Sequence, residues 1–141
     1  KPIVQIYFAG SIAGGRNYSE TYTRMFHHLH AKGHDVPTEH IIYPDVLAFE
    51  KAYTAEQIYQ RDIEWLQSSH ALIAEISNPS LGVGYEIGYA LSLRKPVLCL
   101  HGKGLFISRM ITGNNDPLLT IKIYETDEDW VKIIDHFLDS L

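Results

Sequence analysis

The chain has 141 residues, 45% of them hydrophobic and 21% charged, with a formal net charge of −5. That is the length of one domain able to bury about two-thirds of its unfolded surface, and the acidic balance excludes a broad electrostatic footprint for nucleic acid. No apolar run approaches the roughly 18–20 residues of a membrane span and no secretory leader is visible, so the expected location is the cytoplasm, with the nucleus as a second compartment.

Taken in chain order, residues 3–9 are short and β-rich and predict a strand. Residues 18–32 place Tyr22, Met25, Phe26 and Leu29 at helical spacing, and Gly33 ends them. Residues 35–42 predict a second strand and 44–53 an irregular connection. Residues 54–68 predict a helix with Thr54 at its N-cap. A strand (71–76), a helix (81–93), a strand (96–101), a short helix (106–111) and a strand (119–124) follow. Residues 126–141 predict the closing helix, whose Thr126 and Asp129 have the spacing of a capping box.

Strands alternating with helices argue for a parallel sheet, and the near-continuous apolar strands for burial on both faces. The expected fold is therefore α/β: residues 1–141 form one doubly wound, Rossmann-like or flavodoxin-like domain, a five-stranded parallel sheet with helices on both faces. With right-handed crossovers its strand order is 2-1-3-4-5. The first and third strands are then neighbours, and the Gly-rich turns that follow them, Gly10 to Arg16 and Ser77 to Gly84, open on one crevice.

Neither turn has the G-x-G-x-x-G spacing of a dinucleotide site or the P-loop pattern. What they offer is a small anion site made of backbone N–H groups, the hydroxyls of Ser11 and Ser80, a helix N-terminus and the charge of Arg16. The same turns also read as plain tight connections. The second leads into a helix whose first turn is expected to carry Glu86. That carboxylate either complements the helix dipole or, beside an anion site, attacks an anomeric carbon and forms a glycosyl-enzyme. Gly82 and Gly84 would let a sugar come close to the backbone.

Asp62 reads as a solvated helix acid or as a group that hydrogen-bonds a leaving base or carries its proton. Tyr7, at the end of the first strand, is either core or a ring against the sugar. His40 closes the second strand, where it can reach the crevice. His27, His30 and His34 share a helical stripe with no accompanying acid or cysteine cluster, so they read as surface histidines and no metal site is expected. Cys99 reads as a core thiol, and Glu75, inside an apolar strand, has no evident role.

Four segments together resemble the 2′-deoxynucleoside 5′-phosphate N-hydrolases of the nucleoside 2-deoxyribosyltransferase superfamily. They are Tyr7-Phe-Ala-Gly-Ser-Ile-Ala-Gly-Gly-Arg16, Thr38-Glu-His40, Asp62-Ile-Glu-Trp-Leu66 and Ala74-Glu-Ile-Ser-Asn-Pro-Ser-Leu-Gly-Val-Gly-Tyr-Glu-Ile-Gly88. The resemblance implies hydrolysis of the N-glycosidic bond of 2′-deoxynucleoside 5′-monophosphates, without cofactor or metal, through a covalent intermediate on Glu86. Asp62 would serve the leaving base, and Tyr7 would orient Glu86 and sense the sugar. Ser11, Ile12, Gly14 and Ser80 would surround the 5′-phosphate, Gly10 would also bind substrate, and His40 would lie near the base. Ser108 would be donated across a homodimer interface to the phosphate. Transferases of the superfamily carry Asp where Ser80 stands, so Ser80 points to a phosphorylated substrate. Ala13 departs from the pattern, which has Arg there, and removes one cation from the phosphate end. A deoxyribosyltransferase, a hydrolase of ribonucleotides such as CMP, and a nucleotide sensor without turnover are the rival readings.

Overall fold

Four parallel strands, neighbours in the sheet in the same order as along the chain, carry the molecule. The computed structural model describes residues 3–12 and 15–141. Along the chain run β1 (Ile6–Ala9), α1 (Ser19–Ala31), a 3-10 turn (Glu39–Ile42), α2 (Val46–Lys51), α3 (Ala55–Ser68), β2 (Ala71–Glu75), α4 (Leu81–Ser92), β3 (Val97–Gly102), α5 (Arg109–Thr112), β4 (Leu119–Tyr124) and α6 (Asp127–Asp139). β1 and β2, the expected first and third strands, pair in parallel from Ile6↔Ala71 to Ala9↔Ala74.

Alternation along the strands sends successive side chains to opposite faces. Ile6, Phe8, Ile73, Leu98 and Leu100 join Tyr22, Met25 and Leu29 of α1 and Trp130 and Ile134 of α6 in one buried cluster. Tyr7, Ala9, Leu72, Ala74 and Cys99 join Leu66 of α3 and Val83, Ile87 and Ala90 of α4 in the other. Tyr7 therefore belongs to the face covered by α3 and α4, and this parity brings it to Asp62 and Glu86. Both helices are well started: Thr54 and Gln57 form a reciprocal capping box on α3, and Ser80 Oγ accepts from Val83 N at the head of α4.

The expected second strand, residues 35–42, does not form, and the sheet has four strands rather than five. A single bridge, Gln5↔Asp35, begins the pairing, and Ile6 N donates to the Asp35 carbonyl at 2.8 Å. Pro37 then has no N–H to continue a ladder, and the Thr38 side chain takes over. Its Oγ1 accepts from Phe8 N (3.2 Å) and donates to the Phe8 carbonyl (2.6 Å), so one hydroxyl satisfies both backbone groups that a neighbouring strand would have used. The chain turns into the 3-10 segment instead. The stretch 44–53, expected to be irregular, contains the short helix α2, anchored by the buried Val46.

Glu75 gains an explanation as well. Its carboxylate is 0% exposed and accepts from Ser77 N (2.9 Å), Ser77 Oγ (2.6 Å) and Tyr124 Oη (2.6 Å). Ser77 Oγ in turn accepts from Gly102 N at 2.9 Å. The carboxyl ends of β2, β3 and β4 are thus tied together beneath the turn that leads into α4.

Candidate active site

Gly10 ends β1 where a side chain cannot fit: a Cβ there would lie 2.8 Å from the Tyr22 ring. The backbone consequently runs directly over that ring, and Ser11 N donates to Tyr22 Oη at 3.1 Å. Ser11 is fully buried, and its Oγ has no hydrogen-bond partner among the described residues. Arg16 latches the loop. Its guanidinium donates to the carbonyls of Ser11 (3.2 Å), Ile41 (2.8 Å) and Tyr43 (3.3 Å), so its hydrogen bonds go to backbone oxygens. Ala13 and Gly14 lie outside the described residues.

A narrow cavity of about 30 Å³ opens at the carboxyl end of β1, with Tyr7, Ile12, Thr38, His40, Asp62 and Glu86 in its wall. Tyr7 Oη donates a hydrogen bond to Glu86 Oε2. No acidic residue occupies the first turn of α4. Glu86 lies one turn further in, and the helix-dipole reading of this carboxylate lapses. Burial raises the Glu86 pKa to about 7, with Asp62 and Glu50 adding to the rise while the Tyr7 hydroxyl opposes it. The Tyr7 phenol is pushed well above its ordinary value by burial and then by the charge of Glu86. The pair is therefore a phenol that keeps its proton and a carboxylate that can lose one near neutrality.

Asp62, on α3, is raised by burial against the pull of Arg61, whose Nε donates to its Oδ1 at 2.9 Å. Arg61 also pairs with Glu50 Oε2 at 3.2 Å and contacts His40 Nε2 at 3.3 Å. Its guanidinium lies 4.8 Å from the Trp65 ring centroid and 5.5 Å from that of Tyr53. His40 stacks on Phe49, centroids 5.6 Å apart, and burial followed by the Arg61 charge lowers its pKa to about 4. Sequence reasoning gave Arg61, Glu50 and Phe49 no role. Glu50 and Phe49 belong to the helix it did not expect, and the only signal for Arg61 was its adjacency to Asp62.

Ser80, Gly82 and Ser108 lie elsewhere, in a wide cavity of about 1080 Å³ between the head of α4 and the loop through α5. Ser80 and Ser108 each cap a helix with Oγ, accepting from Val83 N and Met110 N, and each hydroxyl proton remains available. Gly84 on this wall has open space where a side chain would be. The rim is apolar and exposed: Leu81 is 97%, Phe106 81% and Met110 84% accessible. α4 serves both cavities, with Glu86 in the narrow one and Val83 and Gly84 in the wide one.

No group of three or more His, Cys, Asp or Glu among the described residues could hold a metal ion. His27 and His30 are exposed, whereas His28 bridges α1 to α6 through Asp135 at 2.7 Å. No described helix is long and apolar enough to cross a membrane.

Residues 6–105 match the model of the nucleoside 2-deoxyribosyltransferase family. A protein of Methanosarcina mazei with the provisional name 2′-deoxynucleoside 5′-phosphate N-hydrolase 1 is 41% identical over 136 residues, covering 96% of this chain and 84% of its own. The 5-hydroxymethyl-dUMP N-hydrolase of Danio rerio is 36% identical, covering 98% of each chain. Among solved structures, a CMP N-glycosidase of Clostridium botulinum superposes with a TM-score of 0.71 over 94% of this chain and 98% of its own. A 2-deoxyribosyltransferase of Bacillus psychrosaccharolyticus superposes with a TM-score of 0.63 over 90% of each. At 17% and 20% identity these two likenesses bear on the fold.

Proposed function

The chain belongs to the nucleoside 2-deoxyribosyltransferase family, and from that premise we propose that it hydrolyses the N-glycosidic bond of 2′-deoxynucleoside 5′-monophosphates, releasing the base and 2-deoxyribose 5-phosphate. One observation carries the reading: a largely buried carboxylate, Glu86, receives a hydrogen bond from Tyr7 in a narrow cavity shared with Asp62.

The ionised Glu86 attacks C1′. The C1′–N bond breaks with its electron pair on the base nitrogen, and charge at the sugar passes through an oxocarbenium-like state. Tyr7 holds the attacking oxygen in line, and its ring stands where a 2′-hydroxyl would crowd the pair. Asp62, kept in place by Arg61, faces the base and assists the proton it must gain on leaving. Water then adds at C1′, passing a proton to Asp62 to replace the one given to the base, and the bond between C1′ and the Glu86 oxygen breaks, which restores the carboxylate.

The phosphate end draws on Ser80 and the backbone of Gly82 at the head of α4, and on Ile12 and the Ser11 hydroxyl, which has no partner among the described residues, on the β1 side. Ser80 donates where an acid would repel. Ser108 completes this end from a second copy of the chain, and the apolar rim at Leu81, Phe106 and Met110 supports a homodimer that covers the wide cavity. Arg16, occupied by backbone carbonyls, acts by shaping the loop. The expected site of action is the cytoplasm or nucleus.

The test is a panel of dGMP, dCMP, dAMP, dTMP and 5-hydroxymethyl-dCMP with their ribonucleotides and unphosphorylated nucleosides, with free base read by chromatography. Release from the deoxy monophosphates alone is expected. Release from ribonucleotides at similar rates would overturn the role given to Tyr7. Transfer of sugar to an added second base would make the protein a transferase, and tight binding without base release would make it a sensor.

A further inference from the structure

Arg61 enters the chemistry above only by holding Asp62, yet it is held on every side. It stacks between Trp65 and Tyr53, pairs with Asp62 and Glu50, and points Nη2 at His40 Nε2 from 3.3 Å. A guanidinium has only donors. At that contact the imidazole nitrogen must accept, and a neutral imidazole that accepts at Nε2 carries its proton on Nδ1. The ring is held by its stack on Phe49 and by Trp65, whose centroid lies 5.9 Å away. Nε2 is occupied by Arg61, so Nδ1 is the nitrogen left for a ligand in the cavity that His40 lines.

Resting on the nucleotide reading, we propose that Arg61 is a positioning residue for base preference. By donating to His40 Nε2 it fixes the Nδ1–H tautomer, so His40 can only donate to a bound base, and the site takes bases presenting a carbonyl oxygen there over bases presenting an amino group. Glu50 makes the arrangement reversible. Its Oε1 lies 3.9 Å from the same Nε2. Without Arg61 the imidazole proton moves to Nε2 to face that carboxylate, and Nδ1 becomes an acceptor.

The tautomer is read directly by 15N NMR of the free protein near pH 7.5, with the His40 signals assigned by their loss in His40→Asn. The expected pattern is a protonated Nδ1 and a bare Nε2, reversed in Arg61→Met. An Nε2–H tautomer or an imidazolium in the unmodified protein overturns the proposal. Preference is read as the ratio of kcat/KM for dUMP over dCMP and for dIMP over dAMP. Comparing each ratio between protein and variant cancels the intrinsic leaving ability of the base. In Arg61→Met the oxo-over-amino ratio falls about tenfold in at least one pair, the scale of one hydrogen bond. Arg61→Lys, which keeps a donor-only cation, retains most of it. Ratios unchanged in both pairs for Arg61→Met overturn the proposal, whatever its effect on overall rate. If the unmodified protein releases no base, the hydrolase reading fails separately. The tautomer measurement still stands, and calorimetric binding of the same four nucleotides reads the preference.

Discussion

Glu75 and Glu86 are two carboxylates near the carboxyl edge of the same sheet, and burial raises the pKa of both. Glu75 accepts three hydrogen bonds, from the backbone N–H and hydroxyl of Ser77 and from Tyr124, and is sealed from solvent. Among the described residues Glu86 accepts one, from Tyr7, and it borders a cavity. A carboxylate saturated with donors is a clamp, because any reaction would have to break those bonds first. One held by a single donor keeps lone pairs for a substrate. The number of donors, more than burial, separates structural from reactive in this molecule.

The largest effect expected on this contrast is at Glu86. Glu86→Gln keeps the shape and removes the nucleophile, so turnover falls by about a thousandfold or more, about 4 kcal/mol in the barrier, while circular dichroism stays unchanged. Base release within tenfold of the unmodified protein would remove Glu86 from the chemistry. Glu75→Ala should do the opposite. It strands three buried donors, each costing about 1–3 kcal/mol, so denaturant unfolding should show a loss of about 3 kcal/mol or more. A loss under about 1 kcal/mol would mean that the clamp holds little.

A third test uses stability at the reactive carboxylate. Glu86 titrates at about 7 in the fold and in the ordinary carboxylate range when unfolded. The folded state binds its proton more tightly, so its ionisation erodes stability as pH rises through that interval. The cost reaches about 3 kcal/mol above pH 7 and vanishes below the ordinary carboxylate range. Glu86→Gln does not titrate and should be the more stable protein near pH 8, with the gap closing towards pH 5. A gap independent of pH would contradict the raised pKa. Last, Tyr7→Phe should lower kcat about ten- to a hundredfold and move the acid limb of the rate profile to higher pH, since the lost hydroxyl favoured the ionised form. An acid limb that stays in place would uncouple Tyr7 from Glu86.

Much of this was legible in the sequence because it rests on local rules. Strands and helices followed hydrophobic period and caps: the N-cap at Thr54 and the capping box at Thr126 formed where the sequence announced them, and Gln57 completes a second box on α3. The pairing of β1 with β2 followed from parallel topology, and the order of side chains on β1 then placed Tyr7 beside Glu86. What failed to show depends on contacts between distant residues. Nothing in residues 35–42 says that the Thr38 hydroxyl will replace a strand at Phe8. Glu75 breaks an apolar run and is intelligible only once Tyr124, 49 positions away, arrives. Arg61 looks like any surface helix cation until α2 brings Glu50 against it and stacks Phe49 on the neighbouring His40.

Cys99 carries a practical consequence for measuring motion in the core. The single cysteine of the chain sits fully buried between the strands and α4, and burial pushes its thiol up to about 12. Since thiolate is the reactive form, an alkylating reagent finds neither access nor nucleophile in the closed protein. Labelling with a maleimide or iodoacetamide thus becomes a stopwatch for opening of the sheet–α4 core. The same native protein, carrying no engineered probe, would report how often that core breathes and whether a bound nucleotide slows it.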